Sequence, residues 1–252
     1  MAWRSHGSTN EELVEQLWRN GLITDERVKE AFLKVDRAHY APSSPYRDNP
    51  QSIGHEATIS APHMHATATE NLLPYLLPAP TTNPAPRVLD IGSGSGYLTH
   101  VMAELVGDKG TVTGVEHIPA LRDLGESNMR KSAQGRAFLA SGRVKFRVGD
   151  GRKGWVEPDE ELRDVERPVT EARGKGWDAI HVGASAVELH PELVAQLRAP
   201  GRMFIPVDDE GGDGFGQHVW AVDKDAVGVV TKKKLFAVRY VPLTNPPKGS
   251  GE

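Results

Sequence analysis

The 252-residue chain contains no cysteine, which excludes disulfides, a thiol nucleophile and thiolate metal ligands. No apolar run approaches the ~20 residues that a membrane-spanning helix needs. The opening residues Met1-Ala2-Trp3-Arg4-Ser5-His6 lack the apolar stretch of a signal peptide, so the expectation is a cytosolic protein. Aromatic residues are sparse, at 6%, and the formal net charge is −4, so the basic footprint of a nucleic-acid binder is missing. The cluster Lys232-Lys233-Lys234 is too short to reverse that and reads as a solvated turn between strands. With 38% hydrophobic and 25% charged residues, the composition suits an enzyme or a binding module equally. The length allows one large α/β domain with appendages.

What the chain does have is a glycine-rich turn after an apolar run, Val88-Leu89-Asp90-Ile91-Gly92-Ser93-Gly94-Ser95-Gly96. It reads as a buried strand feeding a tight turn into a helix, where glycine lets a ligand approach the backbone. The spacing Gly92-x-Gly94-x-Gly96, with Asp90 just before it, departs from the G-x-G-x-x-G of dinucleotide binders and matches the S-adenosylmethionine pattern. The strand at 110–116 ends in Glu116, where nucleotide-binding α/β folds place a ribose-hydroxyl acceptor. A third strand at 144–148 runs into Gly149-Asp150-Gly151, a carboxylate and flexible backbone suited to adenine. Singly, each is explained as well by an ordinary connection or a solvated carboxylate. In order along alternating strands and helices, they favour a cofactor site at the carboxyl edge of a parallel sheet.

Around this core, Ser8 or Thr9 with Glu11 or Glu12 forms a capping box for a first helix ending at Gly21, and Thr24 is placed to cap a second. Their apolar stripes make an amino-terminal helical cover, within an appendage spanning 1–60. Residues 36–60 show little periodicity and read as a long loop, in which Tyr40 and Tyr46 read as packing; beyond it, so does Met64. Ser60 is placed to cap a helix with Pro62 in its first turn. His63 and His65, two apart on that helix, point to opposite sides and chelate poorly, so no metal is expected. The Rossmann-like core covers 61–244, with a Pro-rich connection at 78–86 and an acidic, solvated insertion at 156–176. Strands at 177–182 and 202–207, with a helix at 189–197 between them, lead to antiparallel strands at 217–222, 227–231 and 235–241. A flexible tail is expected at 245–252.

The blocks Pro50-Gln51-Ser52-Ile53-Gly54, Ala57-Thr58-Ile59-Ser60-Ala61-Pro62-His63-Met64-His65-Ala66 and Val148-Gly149-Asp150-Gly151-Arg152, with the glycine turn between the last two, resemble the protein L-isoaspartyl O-methyltransferases, in their eukaryotic form. The similarity runs from Trp3 to Thr244, with Tyr240-Val241-Pro242-Leu243-Thr244 resembling the family's terminal strand. The resemblance implies a class I S-adenosylmethionine-dependent methyltransferase fold, α/β and Rossmann-like, in a single domain. It implies methyl transfer from S-adenosylmethionine to the free α-carboxylate of L-isoaspartyl residues, and S-adenosylhomocysteine as product. Carried over by position, cofactor contacts fall on Thr58, Ile59, Ser60, His65, Asp90, Gly92, Ser93, Gly94, Glu116, His117, Asp150 and Gly151. Ser60 matches the active-site serine and Thr244 a further pocket residue. The family commonly has Asp where this chain has Glu116. The expected partners are isoaspartyl-containing proteins, with no nucleic acid or membrane, and the expected form is a monomer. The alternatives are a class I methyltransferase with another acceptor, or a binding module that keeps the fold without turnover. A nicotinamide oxidoreductase fits the glycine spacing poorly.

Overall fold

The computed structural model describes residues 4–79, 81–158, 176–209 and 216–243. Most of the expected insertion, the tail and Thr244 lie outside the described residues.

Helix α1 (Asn10–Arg19) begins at Thr9, whose hydroxyl accepts the Glu12 amide, while Glu12 reaches back to the Ser8 amide at 2.7 Å. Its Leu13, Val14 and Leu17 are buried, as are Val28, Ala31 and Phe32 of helix α2 (Glu26–Lys34). The α2 cap is Asp25 rather than Thr24. The Thr24 hydroxyl is drawn away to Glu70 at 2.7 Å, and the Asp25 carboxylate takes the Arg27 amide instead.

Residues 36–60 are not a featureless loop. A 3₁₀ turn at Arg37–His39 is followed by an antiparallel hairpin of β1 (Gln51–Gly54) and β2 (Ala57–Ile59). Its two-residue loop, His55 and Glu56, has positive φ at both positions, as a type I′ turn requires. Helix α3 (Pro62–Leu76) starts from Ala61, with Pro62 in its first turn. Ser60 therefore stands one residue before the cap and does not serve as it.

The central sheet is built from β3 (Arg87–Ile91), β4 (Thr111–Glu116), β5 (Val144–Val148), β6 (Trp177–Val182), β7 (Leu197–Asp208), β8 (Gln217–Lys224) and β9 (Val230–Ala237). Their order is β5-β4-β3-β6-β7-β8-β9, parallel through β7 and antiparallel for the last two pairings. Helices α4 (Tyr97–Leu105), α5 (Pro119–Met129), α6 (Ala133–Ala140) and α7 (Pro191–Gln196) complete the alternation. Both β3 and β6 are buried along their whole length, as strands covered on both faces must be. One apolar cluster joins α1 to α4 with Val88 and Ala179; the other gathers Leu89, Ile91, Ile180 and Val182 on the opposite face. This alternation sends Asp90 and His181, register partners on neighbouring strands, toward the α3 and α4 side.

Three further expectations are corrected. Lys232, Lys233 and Lys234 are not a turn but the exposed middle of β9, a single edge strand where two were expected; charges there oppose further strand pairing. Tyr240 to Leu243 is not a strand but carries one bridge, Ser185 to Pro242. Glu157, assigned to the solvated insertion, is buried and accepts the Thr113 hydroxyl at 2.9 Å.

Candidate cofactor and acceptor site

The chain enters the sheet at β3, runs outward to β4 and β5, then crosses back to β6 on the other side. Ligands of open α/β sheets bind at such a reversal, at the carboxyl ends of the strands. Here that edge carries the glycine turn. Gly92, Gly94 and Gly96 all have positive φ, and a Cβ at Gly96 would lie 2.9 Å from the Gly125 carbonyl of α5, so the third position accepts glycine alone. The buried Ser93 hydroxyl in this turn has no hydrogen-bond partner.

Three carboxylates flank the turn in different ways. Glu116 is buried and accepts the Gly94 amide at 3.1 Å with one oxygen, and the His117 and Ile118 amides with the other. Burial pushes its pKa up, but the His117 imidazole and the amides of Ile118 and Gly94 outweigh this and hold it below the usual glutamate range. Asp90 has both oxygens engaged beneath the turn, one by the Thr99 hydroxyl at 2.5 Å and one by His181 Nδ1 at 2.8 Å. It thereby ties the strand before the turn to the helix after it. Asp150 is half-buried and paired with Arg152, which holds its carboxyl below the ordinary range. Next to it, a Cβ on Gly151 would strike Ile91 at 2.4 Å.

The second half of the site comes from the hairpin, α3 and the carboxyl-terminal segment. Thr58 is exposed, Ile59 buried and Ser60 half-buried. Ile53 of β1 lies against Gly94, 3.3 Å from where a Cβ would stand, so the hairpin rests on the turn. The Arg37 guanidinium donates to the Ser60 carbonyl at 2.8 Å and faces His65 Nδ1 at 3.2 Å. Burial, with Arg37 alongside, drives His65 well below the usual imidazole range. It is neutral, accepts from Arg37 through Nδ1 and carries its proton on Nε2. The His65 ring also sits 5.1 Å from Tyr97, the first residue of α4, which joins the two halves of the site.

On the far side, the Tyr240 phenol is the hydrogen-bond partner of the Ser60 side chain, and burial pushes it up to about 12. Tyr240 is fixed by Gln217, which accepts its amide at 2.6 Å. Beyond it, Ser185, three residues past the end of β6, bonds both Val241 and Leu243 through the backbone, at 2.8 and 2.7 Å.

The model of the protein-L-isoaspartate(D-aspartate) O-methyltransferase family matches residues 8–161 and 170–248. The chain belongs to that family. It is 42% identical over 245 residues to the protein-L-isoaspartate O-methyltransferase of Caenorhabditis elegans, covering 97% of this chain and 96% of that one. The wheat enzyme, from Triticum aestivum, is 41% identical over 94% of this chain and 91% of its own. Among solved structures, a Plasmodium falciparum protein described as a putative protein-L-isoaspartate O-methyltransferase, in complex with S-adenosyl-L-homocysteine, superposes with a TM-score of 0.76. It is 32% identical and covers 94% of this chain and 99% of that one.

Within this family member, the structure brings Ser60, His65, the glycine turn, Glu116 and His117 to one edge of the sheet, with Asp150 and Gly151 beside them. Thr244 falls outside the described residues. Reading the sequence missed Arg37, Thr99 and His181 as members of the site. Arg37 follows Asp36 just after a helix, a pattern that reads as solvated charge. Thr99 and His181 are revealed only by strand register and helix docking.

Proposed function

We propose that this protein methylates the free α-carboxylate of L-isoaspartyl residues in damaged proteins, and D-aspartyl residues as the family description includes, using S-adenosylmethionine and leaving S-adenosylhomocysteine. The observation that carries the proposal is the pairing of a left-handed glycine turn, gripped by Glu116, with a serine held between Arg37 and Tyr240. The residues fit the cofactor: Ser93, in the glycine turn, offers a buried hydroxyl without a partner.

When bound, S-adenosylmethionine supplies an electrophilic methyl group on a sulfonium. Glu116 and the turn amides would hold its ribose, and Asp150 with Gly151 its base. Thr58, Ile59 and His117 would complete the contact surface, and Asp90 would act through the turn that it braces. The acceptor carboxylate, with a pKa near ~4, is ionised at neutral pH and needs no general base. The Ser60 hydroxyl orients it, so the rate comes from alignment in a partly desolvated site. The product ester closes to a succinimide with loss of methanol, and hydrolysis of the imide returns part of the residue to aspartate.

Labelled S-adenosylmethionine offered with one peptide in isoaspartyl and aspartyl forms tests this. Base-labile methyl ester on the isoaspartyl form alone is expected. Equal labelling of both forms, or of neither, overturns the acceptor assignment. A cytosolic protein is the reading that the cysteine-free composition supports, and a monomer is the further expectation that sedimentation tests. No helix among the described residues is long and apolar enough to cross a membrane.

A further inference from the structure

Behind Ser60 lies a charge that the reaction described above leaves unused. Arg37 is fully buried. Its guanidinium touches only neutral groups: the Ser60 carbonyl, neutral His65 and, 5.0 Å away, the face of Tyr97 from α4. Its Nε has no hydrogen-bond partner. Among the described residues no carboxylate lies within ion-pair distance of it. Asp48 acts on it through space, but the Asp48 carboxylate is already engaged by His63 at 2.7 Å. Burial lowers Arg37 to about 10, which leaves it protonated at neutral pH. A buried cation whose one interacting carboxylate stands at a distance and already holds a histidine is incompletely compensated and costly to maintain. The acceptor is an anion, and Ser60, the residue assigned to orient it, receives this guanidinium on its own carbonyl at 2.8 Å.

We propose that Arg37 is a positioning residue that supplies the counter-charge for the acceptor: through Ser60 and without touching the substrate, it draws a free carboxylate into the site in preference to a neutral analogue. The inference rests on Ser60 being the acceptor position. Methyl transfer consumes the carboxylate's charge, so Arg37 attracts the bound anion more than the transition state, and its loss falls on KM more than on kcat.

The test is the affinity of protein loaded with S-adenosylhomocysteine for one peptide in isoaspartyl and neutral isoasparaginyl forms, read by fluorescence anisotropy. Wild type prefers the anionic form by roughly tenfold or more. In Arg37→Met that preference collapses toward unity while affinity for S-adenosylhomocysteine holds. In Arg37→Lys, a buried ammonium keeps the preference near about pH 6.5 and loses it by about pH 9 as it deprotonates. Wild type run in parallel accounts for His63 and His6, the two imidazoles bonded to Asp48. Tyr97 is pushed above its ordinary range and His65 far below it, so neither changes charge in this interval. The lysine series decides alone if the methionine variant does not fold. An unchanged preference in Arg37→Met, a pH-independent one in Arg37→Lys, or equal losses for both peptides overturns the proposal. Wild type that methylates the isoaspartyl peptide without preferring it overturns the counter-charge alone. Wild type that binds neither peptide overturns the acceptor reading as well.

Discussion

The carboxylate of Glu116, at the end of β4, accepts the backbone amide of Gly94 at 3.1 Å, so one strand grips the turn that follows its neighbour. Glu116→Ala frees that turn and removes the acidic group beside it. Affinity for S-adenosylhomocysteine is expected to fall roughly 10- to 100-fold, and Glu116→Gln to lose less. Calorimetry showing wild-type affinity in both variants would remove Glu116 from the cofactor site.

Glu116 and Asp48 both sit below their ordinary values of 4.5 and 3.8 when folded. Burial opposes this in each, and the hydrogen bonds and charge of His117 and His63 outweigh it. A lowered folded pKa stabilises the fold above the unfolded value, and that stability is lost as pH falls through the folded one. Denaturant unfolding should therefore show constant contributions from these groups down to about pH 5 and a decline below it. Glu116→Gln should flatten that acid limb. A variant with the wild-type slope would contradict the assignment.

Gly96 and Gly21 both have positive φ, but only Gly96 is crowded. Gly96→Ala must push a methyl against α5 and should cost about 3 kcal/mol or more. Gly21→Ala, with open space around it, should cost only about 1 kcal/mol. Urea midpoints that rank the two the other way would show that α5 does not rest on the turn as described.

Ser60→Ala is expected to lower turnover on an isoaspartyl peptide, and Tyr240→Phe to lower it about three- to tenfold, as loss of one orienting hydrogen bond implies. Made together, the two substitutions should do no more harm than Ser60→Ala alone, because Tyr240 acts through that hydroxyl. Additive losses would give the phenol a separate role.

The strand at 177–182 is legible because burial on both faces makes it an apolar run, and the edge strand at 144–148 because its apolar residues alternate with Lys145 and Arg147; both have in the structure the bounds that the sequence suggests. The acidic and glycine positions at their ends followed from the same alternation. The β1 and β2 hairpin was illegible because its turn uses His55 and Glu56 at positive φ, without the glycine or asparagine that announces such turns. Caps slipped by one residue at Thr24 and Ser60 because a neighbouring residue competes for each role: Asp25 takes the cap while Glu70 holds the Thr24 hydroxyl, and Ala61 begins α3 in place of Ser60. Arg37 was missed for a different reason. Nothing local marks a charged side chain as buried when its partners come from α3, α4 and the residue before the α3 cap.

The stitch between Ser185 and the 241–243 backbone has a consequence for how the protein is made. A chain emerging from the ribosome presents the glycine turn, Glu116 and Asp150 well before Tyr240. Until that phenol arrives, Ser60 lacks the partner of its hydroxyl, and Ser185 lacks the segment laid across it. The nascent chain thus has the carboxylates around its glycine turn in hand first, and the partner of Ser60 arrives only after every strand of the central sheet has been made.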